Sequence, residues 1–386
     1  MAFIYKFSGL AAFLGVFLAM MSVDARADEL SSFQTTARNV FIEDYETGAV
    51  LYDKLGDAHI PTASMSKMMT AYVVFEQLRA GKITMTTMMP VSKHAWSTGG
   101  SKMFLPINAQ VSVEDLIMGM IIQSGNDACI SLAEGIAGSE GAFVDMMNDD
   151  ARRMGLKDTH FADVNGLPDP NHYSSAHDLA QIAIHLIRDF PEYYHYFSQI
   201  DFTYNGIKQG NRNPLLYKNM GVDGVKTGHT DEAGFCLTAS AKRGNTRIIA
   251  VMTGLDSMNN RSAEGERIVN WALDTFKNYP LFRRGDGVGK VPVWQGVAPD
   301  VLIQVDADVT VTLPKLARRD MKVTVSFDAP VKAPIAQGQH IGLATITAPG
   351  MQSIDVPVVA TSSVAALGTW GRMKAALSYL LSHKKS

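Results

Sequence analysis

Between Pro61 and Leu78 the run PTASMSKMMTAYVVFEQL has the pattern of an apolar helix, interrupted near its start by Ser64 and Lys67. Upstream, NVFIEDYETGAVLYDK alternates on either side of Thr47-Gly48 and predicts a hairpin. Ser112 with Asp115, and Ser175 with Asp178, form capping-box pairs ahead of apolar periodic runs and so predict helix starts. FCLTASAK and TRIIAVMTG predict adjacent antiparallel strands joined at Gly244-Asn245, and AEGERIVNWALDTF predicts a closing helix. Up to about Asn278 helix and strand signals alternate. From Leu281 to Ser363 the helical period is lost, and short alternating runs such as VLIQVDADVTVTL, broken by Pro and Gly, predict a small all-β domain. SVAALGTWGRMKAALSYLLSHKKS then returns to helix. No internal repeat or low-complexity linker is visible.

Length and composition narrow the class. A chain of 386 residues implies two domains or more, and 46% hydrophobic with 19% charged residues is a globular composition, not a disordered one. The first 27 residues carry an early lysine, an apolar run and Ala25-Arg26-Ala27, the layout of a secretory signal with a small-residue cleavage site. An uncleaved N-terminal anchor is the competing reading; cleavage after Ala27 is favoured. The expected organisation is therefore a signal peptide at 1–27, a domain of mixed helices and strands at 28–280, a β-rich domain at 281–363 and a terminal helix at 364–386. Within 28–363 there are 29 basic and 37 acidic residues, a balance of −8, whereas the tail carries four basic residues and no acid. Such a body has no general attraction for nucleic acid, while the tail suits an anionic surface. Cys129 and Cys236 allow one bridge at most, and two buried free thiols is the favoured reading.

Residues three apart on a helix share a face, so the Ser64 hydroxyl and the Lys67 amine can meet. Near a helix start the backbone N–H groups lack partners, which suits a serine that attacks a carbonyl and must then hold an oxyanion. A lysine among Met65, Met68, Met69 and Tyr72 loses solvation and becomes a better base. The spacing is weak alone, because Ser382 with Lys385 repeats it. Ser124-Gly125-Asn126, set between two apolar helices, places a hydroxyl and an amide toward one cleft; Ser257-Met258-Asn259 repeats that pattern too. Lys226-Thr227-Gly228 precedes a strand and occurs once. On a strand Lys226 and Gly228 share a face and Thr227 takes the other, and a strand edge can pair with an extended substrate.

The ordered set S-x-x-K, S-x-N and K-T-G is the signature of serine acyl-transferases of the penicillin-binding type. With it, PTASMSKMMTAYVV, SGNDACISLAEGIAGS, MGLKDTHFADVNGLPD, YSSAHDLAQIA, FTYNGIKQGNRNPLL and VDGVKTGHTDEAGFCLTASA resemble, in order, the blocks of the low-molecular-mass penicillin-binding proteins that are D-alanyl-D-alanine carboxypeptidases. The resemblance runs from about Asn39 to the end. It implies an α+β domain of the β-lactamase/transpeptidase type, an antiparallel sheet flanked by helices, followed by the small all-β domain and an amphipathic membrane-anchoring helix. It implies Ser64 as acylated nucleophile, Lys67 as general base and Ser124 as proton relay. Asn126 would hold the substrate amide, Lys226 and Thr227 its carboxylate, and the backbone N–H groups of Ser64 and His229, beside Gly228, the oxyanion. Arg212 and Arg261 stand where the family carries arginines near the cleft. The substrate would be the D-Ala-D-Ala end of peptidoglycan pentapeptides, with β-lactams as covalent inhibitors, no cofactor, and a location outside the cytoplasm.

One departure bears on mechanism. Class A β-lactamases deacylate with a glutamate between the second and third motifs, yet LKDTHFADVNGLPDPNHYSSAHDLA contains none. A fast β-lactamase is therefore disfavoured. A D,D-endopeptidase or weak β-lactamase of the same fold, and a non-catalytic β-lactam- or peptidoglycan-binding module, are the alternatives. No histidine pattern has metal-site spacing. In the tail Leu367, Trp370, Met373, Leu377, Leu380 and Leu381 fall on one helical face, and Arg372 and Lys374 leave the apolar run too short to span a bilayer.

Overall fold

The computed structural model describes residues 33–382 together with Ile4 and Tyr5. Two compact units are present, one of residues 34–275 and one whose strands begin at Phe276. The second unit thus starts five residues before the boundary expected at 281, because the closing helix runs directly into a strand, Phe276–Phe282.

In the first unit, β1 (Asn39–Asp44) and β2 (Val50–Lys54) form the expected hairpin. β3 (Val222–Thr230), β4 (Gly234–Arg243) and β5 (Thr246–Leu255) complete an antiparallel sheet of order β2-β1-β5-β4-β3. β3 is an edge strand, with one side of its backbone left unpaired in the sheet. Ile249 and Val251 of β5 join the core shared with the helices, while Ile248, Ala250 and Met252 are equally buried on the other face. Burial on both faces is why these strands are almost continuously apolar in sequence.

The helices are α1 (Lys67–Arg79), α2 (Val113–Ile122), α3 (Asn126–Ala137), α4 (Glu140–Met154), α5 (Ala176–Asp189) and α6 (Met258–Thr275). α1 is buried nearly all round and packs against α3, α4 and α5, so its lack of an amphipathic stripe reflects a central position. α5 and α6 pack on the sheet. The helix starts behave as expected at their backbone donors: the Ser112 hydroxyl accepts from Asp115 N–H at 3.1 Å and that of Ser175 from Asp178 N–H at 3.0 Å. The reciprocal halves of the two boxes differ. Asp115 accepts from the Ser112 hydroxyl, and Asp178 turns away to accept from Asp158 N–H and the Thr159 hydroxyl, pinning the loop before it.

The second unit is all-β apart from a 3₁₀ turn and the terminal helix. β6 (Phe276–Phe282) pairs with β9 (Val309–Pro314). β7 (Gly287–Trp294), β8 (Asp300–Val305), β10 (Lys322–Phe327), β11 (His340–Thr347) and β12 (Ile354–Ala360) share a sheet of order β10-β11-β12-β8-β7, with Ile4–Tyr5 laid parallel along Thr324–Val325. Alternate residues such as Val301, Ile303 and Val305 fill its core. In α7 (Thr369–Ser382) the apolar face is open: Trp370 is 83% exposed, and Met373 and Leu377 are exposed as well. The side chains of Leu380, Leu381 and Ser382, the rest of the Ser382-to-Lys385 repeat of the serine–lysine spacing and, apart from Ile4 and Tyr5, the segment assigned to the signal lie outside the described residues. No helix among the described residues is long and apolar enough to cross a membrane.

Candidate active site

Three segments of the first unit meet at one cavity of about 910 Å³. Ser64 sits half-buried in a 3₁₀ turn, Ala63–Ser66, that leads into α1. Lys67 Nζ donates to Ser64 Oγ at 2.7 Å and to the Asn165 carbonyl at 2.6 Å. Lys67 is 1% exposed, and burial, reinforced by the Arg212 charge, lowers its pKa to about 8 against the partial support of Cys129, Asp163 and Asp127. The amine is thus held where it can be neutral near physiological pH and still touch the hydroxyl.

The second segment joins α2 to α3. Ser124 adopts a left-handed backbone, φ 63°, uncommon for a non-glycine residue and one of the strained conformations that gather at functional sites. Its hydroxyl is buried, lines the cavity and has no hydrogen-bond partner among the described residues. Asn126 Nδ2 donates to the Gly99 carbonyl at 2.8 Å, leaving Oδ1 as an unused buried acceptor. The next residue, Asp127, accepts from the N–H groups of Met103 and Leu105 and so fixes the loop that carries Gly100 and Ser101 into the cavity wall.

The third segment is the edge strand β3. Thr227, Gly228 and His229 line the cavity. Thr227, expected on the face away from Gly228, therefore reaches the cleft, as the open edge of the strand allows. A Cβ on Gly228 would stand 3.0 Å from both the Ala63 Cβ and the Thr62 carbonyl oxygen, so a side chain there would push the strand away from Ser64. Lys226 is 2% exposed and, among the described residues, donates only to the Thr227 carbonyl, at 3.3 Å. Burial and the nearby charges of Lys67, Arg212 and Arg261 push its pKa well below that of a free lysine. An anion beside Lys226 would offset that burial, a condition that the spacing of the motif did not reveal. His229 is exposed, its ring tilted by 30° against that of Phe235 with centroids 4.0 Å apart.

Both arginines reach the cavity wall. Arg212 Nη1 donates to the Ser101 hydroxyl at 2.5 Å; the buried Arg261 donates to the Arg212 carbonyl at 3.5 Å and has no partner at Nε among the described residues. No carboxylate lines the cavity, and none pairs with Arg212, Lys226 or Arg261 among the described residues. The second serine–asparagine pattern is structural at its serine, since the Ser257 hydroxyl accepts from Asn260 N–H at the start of α6, although Met258 and Asn259 border the cavity.

The contribution that motif reading missed is the loop at 161–172. Its Asn165 carbonyl meets Lys67, and its Val164 carbonyl accepts from the Thr70 hydroxyl at 2.6 Å. Gly166, at φ 80°, lies so close to the serine turn that a Cβ would fall 1.9 Å from the Ala63 carbonyl oxygen. The Asn165-Gly166 pair is a turn signal, but nothing in it says which side chain its carbonyls serve. Both cysteines are free and buried. Among the described residues no cluster of three metal-ligating side chains occurs.

Comparison with known proteins agrees with this geometry. Residues 24–257 match the family described as D-alanyl-D-alanine carboxypeptidase, and residues 276–366 match the C-terminal domain of penicillin-binding protein 5. The chain is 38% identical to D-alanyl-D-alanine carboxypeptidase DacA of Haemophilus influenzae, covering 94% of this chain and 95% of that protein. It is 34% identical to DacF of Bacillus subtilis, covering 92% and 94%. Among solved structures, penicillin-binding protein 5 from H. influenzae superposes with a TM-score of 0.76 at 40% identity, over 86% of this chain and 98% of that one. Penicillin-binding protein D2 from Listeria monocytogenes in its ampicillin-bound form superposes with a TM-score of 0.56 at 28% identity, over 63% and 99%.

Proposed function

This chain belongs to the D-alanyl-D-alanine carboxypeptidase family of penicillin-binding proteins, and from that premise we propose how its own residues remove a terminal D-alanine. The protein is a serine-type D-Ala-D-Ala carboxypeptidase that acts on peptidoglycan peptides and binds β-lactams. The observation that supports the residue assignment is the set of basic side chains without carboxylate partners among the described residues: Arg212 and Arg261 line the cavity with Ser64, and Lys226, buried next to the lining residue Thr227, feels the charges of both and of Lys67. A buried cation without a counter-ion is costly, and the free carboxylate of a peptide end supplies one.

With that carboxylate against Lys226 and Thr227, the peptide lies along the open edge of β3 and the scissile carbonyl reaches Ser64. The Ser64 proton passes to Lys67 Nζ as Oγ bonds to the carbonyl carbon. The oxyanion is held by the N–H groups of Ser64 and His229, each donor worth about 10²–10³ in rate. Collapse breaks the carbon–nitrogen bond, and the departing amine takes the proton from Lys67 by way of the Ser124 hydroxyl. Water then cleaves the ester and restores Ser64. In this mechanism Asn126 Oδ1, a buried acceptor without a partner among the described residues, takes the N–H of the substrate amide.

Deacylation of a β-lactam adduct is slow in this reading, because the loop offers Lys67 a backbone carbonyl and no spare carboxylate. Its Asp163 is occupied by the N–H groups of Asn165 and Gly166. We further propose that residues 1–27 are removed on export and that α7 holds the enzyme on the outer face of the cytoplasmic membrane. The exposed Trp370, Met373 and Leu377 beside Arg372 and Lys374 support the last point. Mass spectrometry after penicillin tests the nucleophile: the wild type gains one full-mass adduct on Ser64, and Ser64→Ala gains none and releases no D-alanine. A full adduct on Ser64→Ala overturns the assignment.

A further inference from the structure

His172 is a buried residue that the mechanism above does not use, yet it bonds the last residue of the serine turn. Its Nε2 lies 2.6 Å from Ser66 Oγ, and Ser66 Oγ lies 2.5 Å from Thr62 Oγ1. Ser66 and Thr62 are themselves buried, and they bracket Ser64 by two residues on either side. On the other edge of the ring, Nδ1 faces the N–H groups of Ala162 and Asp163 at 3.3 and 3.4 Å, with the Asp163 carboxylate also at 3.4 Å. In the neutral ring Nδ1 accepts from these backbone donors, and Nε2–H donates to Ser66.

The same Asp163 accepts from Asn165 N–H at 2.7 Å and Gly166 N–H at 2.5 Å. The bonds therefore run without a break from the serine turn through Ser66, His172 and Asp163 to the peptide whose carbonyl meets Lys67. A neutral lysine has one lone pair. Bonding one of its hydrogens to the Asn165 carbonyl sets the direction of that lone pair relative to Ser64.

We propose that His172 is a positioning residue for acylation: through Ser66 it clamps the 161–172 loop to the serine turn and so keeps the Asn165 carbonyl on the Lys67 amine. The inference rests on Lys67 being the base. Loss of the clamp lets the loop shift, and misplacement by about 1 Å can lower a rate by about 10²-fold. It also admits water beside Lys67, which weakens the desolvation that makes the amine a good base.

The test measures the second-order acylation constant with a fluorescent penicillin from pH 5 to 10, on the full chain, with active sites counted by titration. His172→Leu and Ser66→Ala are each expected to lower the constant about 10–100-fold per active site and to move the acidic limb to higher pH. His172→Gln, whose amide N–H can replace Nε2–H, restores most of the rate. The double variant loses no more than the worse single one, because both remove one chain of bonds. A wild-type constant and limb in His172→Leu, or a loss seen only in the number of active sites, overturns the proposal. Lys67→Arg in the same assay judges the base by itself. If it keeps the acidic limb, the premise has failed, and the His172 result then speaks only to rate.

Discussion

Two lysines are buried beside one cleft, and their surroundings differ. Lys67 has two acceptors, Ser64 Oγ and the Asn165 carbonyl, with Asp163 and Asp127 close enough to favour its charge. Lys226 has one long contact to a carbonyl and is surrounded by the like charges of Lys67, Arg212 and Arg261. Burial lowers both pKa values. The first environment leaves an amine that shuttles a proton next to a hydroxyl; the second leaves a site short of one negative charge. Identical side chains thus stand in environments suited, under the proposed mechanism, to base chemistry in one place and carboxylate recognition in the other.

The contrast breaks most sharply at Lys67. General-base catalysis contributes about 10²–10⁴-fold, so Lys67→Arg is expected to lose at least that much acylation and to lose the pH dependence with it, since guanidinium does not deprotonate. In the wild type, with a pKa of about 8, the neutral fraction grows as pH rises, so kcat/KM climbs along an acidic limb and levels off above that value. Rates of Lys67→Arg near wild type would assign the base elsewhere. The limb belongs to the coupled network, and for that reason the variant must accompany the profile.

At Lys226 the expected loss is smaller and selective. A charged hydrogen bond is worth about 1.5–3 kcal/mol, so Lys226→Ala is expected to lose about 10–150-fold on a peptide with a free C-terminal carboxylate. The same peptide amidated should lose far less. Equal losses would move Lys226 from recognition to proton transfer and erase the contrast.

Arg212 sharpens the comparison, because its charge depresses both lysines. Arg212→Met removes a like charge, so the Lys67 limb is expected to move up in pH by less than about one unit, read from the pH dependence of penicillin acylation. A limb that moves down would show that Arg212 acts through Ser101 instead. The smallest effect on chemistry is expected from cutting the chain before Ser363, outside both environments. Acylation should be unchanged, while sedimentation with anionic vesicles, weakened by salt in the full chain but not abolished, should disappear. Full-length protein left in the supernatant would make α7 a structural helix.

Much of this was legible in order along the chain. The hairpin at Thr47-Gly48, the strands joined at Gly244-Asn245 and the caps at Ser112 and Ser175 are local, and local rules found them. The Ser64–Lys67 contact is also local, a single turn of helix. Asp178 was read as half of a capping box, but its carboxylate serves residues 158–159, because a side chain at a helix start can equally reach a loop packed across it.

The sequence by itself determined which reactive side chains stand at which spacing: a serine and a lysine one helical turn apart, a serine two residues before an asparagine, a lysine in a single Lys-Thr-Gly on a strand, and a stretch from Leu156 to Ala180 without glutamate. Periodicity and spacing suffice there, because those features depend on residues a few positions apart. Only the tertiary structure decided which lysine has which partners. Burial of Lys67 and Lys226, the Asn165 carbonyl 98 residues from the amine it orients, and the His172 bond to Ser66 across 106 residues all depend on segments that meet in space. Desolvation and hydrogen-bond direction act over a few ångströms, and such distances between remote residues exist only once the chain is folded.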